Sequence, residues 1–423
     1  MTRKKTIDVK SWLAFLQGIV IATDVVYLFA VGTTYFLISE VFSLGLFLYL
    51  LFTKQIQKNQ IRICFDNWLL LYLVYILFSS LIAFARFLSV SLMYRYVVGV
   101  IMLLISLTSL INVVILFEKK QYIIKGIESG IVLNFLFVAI DYLFWQTSST
   151  PFMLLYNMFK QPNFARSIYG FQAQGLFLEA SHMIHYMASV LPIWIAYNSG
   201  VSLKGILVLM MAIISVALTG SGTSAIIAVS LLLLVILYAK RTRYVKKQTL
   251  MIVMALIPIG FLLLFVTMGT TSGRTLIDTA VKYVQHAAEG SRVTDSSNAE
   301  RLNNMLEAIR LIKRNPVGCG WNMSHTLFEQ QSSLRVHAAF SDILEMTMEL
   351  GIGILLYFAF VFSTFIRLLR IGTREAKGVA VAVLSVFTIQ CLADYSFGPC
   401  MMLVFGFARA IILEAKNVID LQN

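Results

Sequence analysis

The sequence predicts an all-α membrane protein that crosses the bilayer about twelve times as one integral membrane domain, residues 1–423. Of its 423 residues 59% are hydrophobic and only 13% are charged, whereas a soluble domain carries about 25% charged residues. So few charges cannot cover a water-facing surface, so the bilayer is the expected main solvent. The same composition excludes an intrinsically disordered chain.

Twelve apolar runs have a length near the roughly 20 residues that a bilayer crossing requires. They lie at about 12–31, 34–52, 68–88, 96–117, 123–145, 182–198, 203–219, 222–239, 250–268, 339–369, 378–394 and 397–413. The ten-residue alternation of membrane barrel strands is absent, which leaves helices. The tenth run is too long for one simple crossing, and we expect its acidic first third, 339–350, to begin outside the membrane.

Lysine and arginine clusters predict the orientation of the spans. The N-terminal tail is basic, and clusters follow every even-numbered span, so the positive-inside rule places both termini in the cytoplasm. The clusters are Lys54, Lys58 and Arg62; Lys119, Lys120 and Lys125; Lys204; Lys240, Arg241, Arg243, Lys246 and Lys247; and Arg367, Arg370, Arg374 and Lys377. This distribution explains the net charge of +13 without nucleic acid as a partner. The first apolar run lacks a small-residue cleavage site, which favours a retained helix over a removed signal.

Two long segments, 146–181 and 270–338, become external loops in this topology. In the second, Asn298 is a candidate cap for an amphipathic helix, which Pro316 and two glycines would end. Its apolar residues at helical spacing are Leu302, Met305, Leu306, Ile309 and Ile312. We therefore expect a helix lying on the external surface between spans nine and ten.

The second external loop also carries arginines on the side of the membrane where the positive-inside rule disfavours them. Its basic residues are Arg274, Lys282, Arg292, Arg301, Arg310, Lys313, Arg314 and Arg335. A solvated face is one interpretation. The other is an anion site, because six of the eight are arginines and the planar guanidinium binds phosphate bidentately. The local cluster of Arg310, Lys313 and Arg314 favours the second interpretation.

The first external loop ends at an acid and two histidines. Glu179, His182 and Tyr186 are spaced to share one helix face at the membrane mouth. A partly desolvated Glu179 there is a candidate general base; capping of the helix is the structural alternative. Metal binding by Glu179, His182 and His185 is disfavoured, because their spacing turns the third ligand away from the first.

His337 lies at the re-entry into span ten, where it is either a structural hydrogen-bonding residue or a catalytic one. We predict no metal and no cofactor, since motifs for nucleotide binding, kinase chemistry, serine hydrolysis and zinc proteolysis are all missing. The four cysteines form neither a disulfide framework nor a zinc motif. Scattered intramembrane acids, without two matching halves of interrupted helices, do not favour a repeat-built transporter.

Three stretches of the chain resemble the bacterial O-antigen ligase and repeat-unit polymerase superfamily. The first is Leu-Thr-Gly-Ser-Gly-Thr at 218–223, similar to a short external turn of the family. The second is Arg301, Met305, Ala308, Pro316, Gly318 and Gly320. The third is Ser-Asp-Ile-Leu at 341–344 with Glu-Leu-Gly-Ile-Gly at 349–353, similar to the helix after the loop. The twelve-span layout with a large external loop before span ten also agrees.

Departures from the family pattern favour a polymerase over a ligase. Ligases place a histidine where this chain has Phe340, and His337 lies three residues earlier. The stretch Phe-Leu-Glu-Ala-Ser at 177–181 resembles the Phe-x-Glu-Pro-Ser of repeat-unit polymerases, with Ala180 in the proline position. Gly222 replaces the arginine frequent in the short turn, and Met305 replaces an aromatic residue.

The resemblance implies a glycosyltransferase that acts outside the bacterial cytoplasmic membrane. It would transfer glycan from a polyprenyl diphosphate to the sugar end of a carrier-linked acceptor, in O-antigen, capsule or exopolysaccharide synthesis. Glu179 or His337 would be the base and Arg301 the main catalytic cation. The proposed substrate contacts are Arg166, His182, Arg310, Arg314 and Arg335. Membrane lipids, a flippase and a chain-length regulator are the expected partners. A ligase and, from another class, a polysaccharide flippase are the alternatives.

Overall fold

The computed structural model describes most of the chain in well-defined positions. The described residues are 8–23, 26–31, 34–56, 61, 64–87, 90–147, 174–177, 179–198, 202–219, 227, 229–231, 233–234, 297–332, 334, 338–392 and 398–420. The predicted eighth and ninth spans fall almost entirely outside these ranges.

Helices make up nearly all of the described secondary structure. They are α1 (Val9–Val20), α2 (Ile38–Phe52), α3 (Asn67–Phe87), α4 (Val90–Ile115), α5 (Lys120–Thr147), α6 (Ala180–Tyr197), α7 (Leu203–Leu218), α8 (Ser297–Arg314), α9 (Ser324–Gln331), α10 (Asp342–Leu350), α11 (Ile354–Ile371), α12 (Arg374–Leu392) and α13 (Pro399–Asp420). Short 3₁₀ turns at Phe117–Lys119 and Gly351–Gly353 precede α5 and α11. The second turn divides the over-long tenth run where the acidic segment ends.

Four helical stretches in the described part of the chain are long and apolar enough to cross a membrane: Tyr94–Ile115, Phe117–Leu143, Asp342–Ile371 and Arg374–Leu392. Four shorter apolar helices accompany them. On α3, Leu70, Val74, Leu77 and Leu81 are each more than half exposed, and their spacing of four, three and four residues puts them on one face. An exposed apolar stripe of this extent marks a surface that contacts lipid or another protein, and beside four helices long and apolar enough to cross a bilayer, lipid is the fitting partner. The chain is an integral membrane protein.

The first two predicted spans differ from the structure. Helix α1 ends at Val20, and a two-stranded antiparallel hairpin follows, with strands β1 (Tyr27–Val31) and β2 (Thr34–Leu37). The segment between the helices is rich in Val, Tyr, Phe and Thr, which favour strands over helices. Hydropathy does not distinguish such residues from helix formers, so the all-α prediction missed this hairpin.

Ion pairs join the ends of several helices at one face of the bundle. Lys119 bonds Asp8 at 2.8 Å, Lys120 bonds Glu414 at 3.1 Å and Arg367 bonds Asp66 at 3.4 Å; Lys204 pairs with Glu128. These residues lie near the starts of α1, α3, α5 and α7 and the ends of α11 and α13. We call this surface the paired face, and the opposite surface, which carries α8, α9 and the start of α10, the loop face. The orientation of either face relative to the cytoplasm stays a prediction.

Candidate functional site

Helix α8 lies where the amphipathic helix was predicted, and it packs on the loop face. The face that it buries differs from the predicted one, because Leu306 is exposed and Met305 and Ile309 are only half-buried. It begins at Ser297, one residue before the predicted cap Asn298. Its buried residues are Asn304, Ala308 and Leu311, which follow the i, i+4, i+7 spacing of one helix face. The Nδ2 atom of Asn304 donates a 2.8 Å hydrogen bond to the carbonyl of Ala338. This bond attaches α8 to the segment that leads into α10.

Arg301 lies on α8 against an aromatic ring from that same segment. Its guanidinium carbon is 5.2 Å from the centroid of the Phe340 ring, within the range of a cation–π interaction. Phe340 has a φ of +55°, a left-handed conformation that bulky residues rarely adopt. Such strain persists where the surroundings enforce it, and it is frequent at functional sites.

The neighbours of Phe340 enforce this backbone conformation. The amide of Ala339 donates to Oε1 of Glu345 at 2.9 Å. On the other side, Ser341 caps α10 and donates its hydroxyl to the carbonyl of Cys391 at 3.0 Å. Because both flanking residues are bonded to helices, Phe340 is held in place as a support for the Arg301 guanidinium.

A second attachment of the segment that follows α8 is made through main-chain atoms alone. The amides of Cys319 and Gly320 donate to the carbonyls of Met348 and Glu349 at 2.9 and 2.8 Å, and the amide of Ile352 donates to the carbonyl of Pro316 at 3.0 Å. We call this contact between residues 316–320 and 348–352 the backbone clasp. It fixes the end of α8 to the start of the membrane helix α11.

Two glycines make the backbone clasp possible. Gly318 has a φ of +88°, and a Cβ atom there would lie 2.3 Å from the carbonyl oxygen of Glu349. Gly351 has a φ of +55°, and its Cβ would lie 2.2 Å from the carbonyl oxygen of Pro316. Only glycine fits such conformations at this approach. The glycines that carry the family resemblance therefore have a structural explanation.

The Glu349 side chain ties the clasp to α9. This carboxylate is buried and accepts the Ser324 amide at 3.3 Å, at the first residue of α9. An acid at a helix N-terminus satisfies unpaired amides and interacts favourably with the helix dipole. Without those amides, burial of the carboxylate would be costly.

Further hydrogen bonds fasten this loop to α3 and α4. The amide of Trp321 donates to the hydroxyl of Ser79 at 3.2 Å, and Asn322 donates to the carbonyl of Arg95 at 2.8 Å. The Arg95 guanidinium, which the sequence analysis did not select, donates to the Thr326 hydroxyl at 3.3 Å. The loop segment 315–331 is thus connected to membrane helices on several sides.

Glu179 lies at the position that precedes α6, with its side chain exposed. No capping hydrogen bond to the helix is made by that carboxylate; its Oε2 accepts the Ser181 hydroxyl at 3.1 Å. The Glu179 side chain therefore does not cap α6, which was the structural alternative. Its exposure also differs from the partial desolvation that we expected for a general base. The preceding residues are anchored to α5, because Asp141 accepts the Gly175 amide at 3.2 Å and Asn134 the Leu176 amide at 3.0 Å.

His182 is the histidine of α6 that lies nearest to Glu179 in the chain. It is half-buried, and its ring centroid is 5.8 Å from that of the buried His185 in a stacked arrangement. Tyr186, predicted to share the face of Glu179 and His182, is fully buried and donates to the Ile127 carbonyl at 3.4 Å. Tyr186 is therefore a core residue. Within the described ranges, no group of three or more His, Cys, Asp or Glu is arranged to hold a metal.

Helix α12 shows where Glu179 lies relative to Arg301. At its start on the paired face, Arg374 donates to the carbonyls of Ile195 and Asn198 at the end of α6, at 2.9 and 3.0 Å. Since the two helices pack antiparallel along their length, the start of α6 lies on the same face as the end of α12. The end of α12 also receives the Ser341 hydroxyl. Glu179 and Arg301 thus both lie on the loop face, beside the end of α12.

Arg310 and Arg314 do not lie on the same side of α8 as Arg301. At 100° and 1.5 Å per residue, nine residues place Arg310 about half a turn around the helix and roughly 13 Å along it. Thirteen residues place Arg314 about 140° around and roughly 20 Å along. Arg310 approaches Glu307 at 3.5 Å. Arg301, Arg310 and Arg314, which were predicted to contact the diphosphate or the glycan, are therefore separated on α8, because residues close in sequence can lie on different sides of a helix.

Three proposed site residues, Arg166, Arg335 and His337, lie outside the described residues. The contacts that sequence reasoning missed are the strained Phe340, the Asn304 and Glu345 bonds beside it, and the Glu349 cap. Apart from the glycine pattern, which indicated close backbone approach, the sequence has no signal for them.

Fold and site together define an integral membrane protein in which Arg301, on a segment held by hydrogen bonds to neighbouring helices, and Glu179, which precedes α6, lie on the same face. A family model described as O-antigen ligase matches residues 206–359, a little over a third of the chain. This match confirms the resemblance to the ligase and polymerase superfamily and includes α8, α9, α10 and the backbone clasp. Glu179 precedes it. No curated protein matches the chain at a significant level. The match supports a ligase- or polymerase-like function on lipid-linked glycans.

Proposed function

We propose that the protein is a polysaccharide repeat-unit polymerase of O-antigen, capsule or exopolysaccharide synthesis. The donor is a glycan on a polyprenyl diphosphate, and the acceptor is the sugar end of another carrier-linked unit. One observation supports this most: the Arg301 guanidinium rests on the strained Phe340 on the same face as the exposed Glu179. The site works outside the cytoplasmic membrane, where a flippase supplies substrate and a chain-length regulator limits the product.

The reaction is a single displacement at the anomeric carbon of the donor. The Glu179 carboxylate takes the proton of the acceptor hydroxyl, whose oxygen forms the new bond to the anomeric carbon. The bond from that carbon to the diphosphate oxygen breaks, and the diphosphate leaves with the electron pair. Displacement from the opposite side inverts the anomeric centre. His337 is the alternative base, and the leaving diphosphate supplies the driving force without a metal or a nucleotide.

Arg301 stabilises the charge that develops on the leaving diphosphate. The Phe340 ring contacts the Arg301 guanidinium, and the guanidinium N–H groups remain available to the phosphate oxygens. A planar guanidinium binds such oxygens bidentately, and prearranged charge of this kind is usually the largest catalytic contribution. His182, near Glu179, is a proposed glycan contact. Arg166 and Arg335 are also proposed as substrate contacts, as the sequence predicts. Arg310 and Arg314 would contact a more distant part of the glycan.

A reconstituted assay tests this proposal. The full-length protein in lipid nanodiscs is incubated with a polyprenyl-diphosphate oligosaccharide, and elongated products are separated by mass. We expect Arg301→Ala to lower the elongation rate by about 10²–10³-fold, as loss of one oxyanion donor does. Arg301→Lys is also expected to be poor, since lysine lacks the bidentate geometry.

Arg370→Ala is the matched control, because Arg370 is an exposed arginine near the end of α11 on the paired face, and it should keep the rate within about threefold. Normal elongation by Arg301→Ala would remove Arg301 from the site. No elongation by the wild-type protein with any carrier-linked donor would contradict the polymerase proposal.

A ligase is the second candidate, because the matching family model is described as O-antigen ligase. A ligase would move finished polymer from the carrier onto a lipid or protein acceptor. Mass analysis of lipid-linked glycans from a deletion strain separates the two. Loss of a polymerase leaves single repeat units on the carrier, whereas loss of a ligase leaves long polymer there.

A further inference from the structure

A cavity opens on the paired face, far from the proposed catalytic residues. Its volume is about 720 Å³, and it is lined by the starts of α5, α7 and α12 and the ends of α6, α11 and α13. Part of its wall is apolar, from Ile124, Ile371 and Ile411, and the rest is charged or polar. Because the cavity lies where apolar helices end, it is at the depth of lipid headgroups.

Most of the charges in this cavity are neutralised by each other. Lys120 bonds Glu414 at 3.1 Å, and Lys204 pairs with Glu128. The lining contains one further cation, Lys125, and one further anion, Glu375. Within the described part of the chain neither forms an ion pair; the Lys125 ammonium lies 5.3 Å from the ring of Tyr122. One positive and one negative charge therefore remain for a ligand.

The Tyr197 hydroxyl is a second feature of the cavity that indicates a ligand. It is buried and has no hydrogen-bond partner among the described residues, although an unsatisfied buried hydroxyl is costly. Tyr197 lines the cavity together with Glu375 and Glu414. A ligand that donates hydrogen bonds here would satisfy the hydroxyl and compensate the Glu375 carboxylate together.

We propose that this cavity binds a membrane phospholipid whose headgroup carries a phosphate and a primary ammonium. The phosphate lies on Lys125, and the ammonium donates to Glu375 and to the oxygen of the Tyr197 hydroxyl. The glycerol and the first methylenes contact the isoleucines of the wall. A headgroup with one charge of each sign matches the two remaining charges of the cavity. The apolar part of the lipid, which contacts the isoleucines, distinguishes it from a water-soluble zwitterion.

Native mass spectrometry of the full-length protein in detergent tests this assignment. The protein is titrated with phosphatidylethanolamine, phosphatidylcholine and phosphatidylglycerol of identical acyl chains, and separately with free phosphoethanolamine. We expect phosphatidylethanolamine to bind about tenfold more tightly than phosphatidylcholine, since a methylated ammonium cannot donate a hydrogen bond to a carboxylate. The free headgroup should bind far more weakly than the lipid.

Three variants sharpen the test. Glu375→Gln should bring the ethanolamine-to-choline preference to within about twofold. Tyr197→Phe, which removes the unsatisfied hydroxyl, should weaken ethanolamine binding several-fold without lowering the thermal unfolding midpoint. Lys125→Ala should weaken both zwitterionic lipids equally. The exposed residues Glu118 and Lys10 provide matched controls as Glu118→Gln and Lys10→Ala, and neither should change the preference.

The preference is a ratio measured within each variant, so partial destabilisation does not mimic the effect. Equal binding of all three lipids, tighter binding of phosphatidylglycerol, or an unchanged preference in Glu375→Gln would overturn the proposal. Tight binding of free phosphoethanolamine would assign the cavity to a soluble ligand instead. An absence of bound lipid in the wild-type protein would also show that the proposal is wrong.

Discussion

The paired face and the loop face hold their charged residues in different ways. On the paired face, Lys119, Lys120, Lys204 and Arg367 each approach a carboxylate of another part of the chain. On the loop face, Arg301 rests on an aromatic ring, and among the described residues Glu179 accepts a hydrogen bond from the nearby Ser181 hydroxyl. Both of these side chains are exposed. Ion pairs fasten helix ends together, whereas a charge held by a ring or a hydroxyl remains available to a substrate.

The attachments follow the same division. Helix ends meet through ion pairs on the paired face, whereas the segment 315–331 is attached by the main-chain bonds of the backbone clasp, by the buried Glu349 carboxylate and by hydrogen bonds to Ser79 and Arg95. Arg301 and Glu179 therefore contribute little to stability, and we expect their loss to affect the reaction more than the fold. The following predictions test that difference, beginning with the largest expected effect.

Glu179→Gln should lower the elongation rate by about 10²–10⁴-fold, the usual contribution of a general base, and leave thermal unfolding unchanged. The amide keeps the size of the side chain and the contact with Ser181 but cannot take a proton. Elongation by reconstituted protein measures the rate, and exposed Glu329 of α9 gives the control Glu329→Gln. A full rate in Glu179→Gln would transfer the role of base to His337.

Gly318→Ala should open the backbone clasp. The left-handed conformation and the new Cβ atom, which would lie 2.3 Å from the Glu349 carbonyl oxygen, together cost about 2 kcal/mol or more. Limited proteolysis of the loop should accelerate by about 30-fold if cleavage follows the open population. Gly45, whose Cβ would meet nothing within 4 Å, is the control, and Gly45→Ala should not change the cleavage rate. Equal cleavage of both variants would mean that the clasp is not what holds the loop.

Phe340→Leu should lower the elongation rate about two- to fivefold, because a cation–π contact at an exposed site contributes about 0.5–1 kcal/mol. Phe340→Tyr keeps the ring and should retain the rate. Phe340→Gly separates the two roles of the residue: it relieves the positive φ, so thermal stability should not fall, yet it removes the ring. A fully active Phe340→Gly protein would show that Arg301 does not need this support.

Asp8→Asn on the paired face should have the smallest effect and should depend on pH. The hydrogen bond from Lys119 lowers the pKa of the Asp8 carboxyl below its ordinary value of 3.8. Its stabilising contribution is thus present above that value and is lost as the pH falls through the lower pKa of the folded protein. The unfolding midpoints of wild type and Asp8→Asn should differ slightly at pH 7 and converge in acid. A difference that persists in acid would exclude this ion pair as its cause.

Strong periodicity made the helices predictable. The apolar spacing after Asn298 and the glycines after Pro316 gave α8 to within one residue of its start, and the acidic residues of 339–350 indicated the break before α11. Hydropathy failed at 27–37, where apolar strand-forming residues pair in a hairpin. A helix is recognised from the period of its hydrophobic residues and the length of its apolar run, and neither is informative over so short a segment.

The candidate site was less predictable than the fold. Arg301 and Glu179 were selected from their residue types and from the family resemblance, and the structure places both on the loop face. Arg310 and Arg314 were grouped with Arg301 because they are close in sequence, although the helix turns them away. The support from Phe340 depends on a backbone dihedral angle, and the backbone clasp depends on main-chain atoms that every residue possesses. Neither property can be deduced from the chemistry of the side chains.

The main-chain nature of the backbone clasp has a consequence for how such a protein can change. Apart from Gly318 and Gly351, its bonds do not depend on which side chains surround them. Exposed residues of α8 and α9 can therefore be exchanged while the segment keeps its attachment to the start of α11. Under the proposed function, sugar specificity could then change through these side chains without loss of the main-chain attachment.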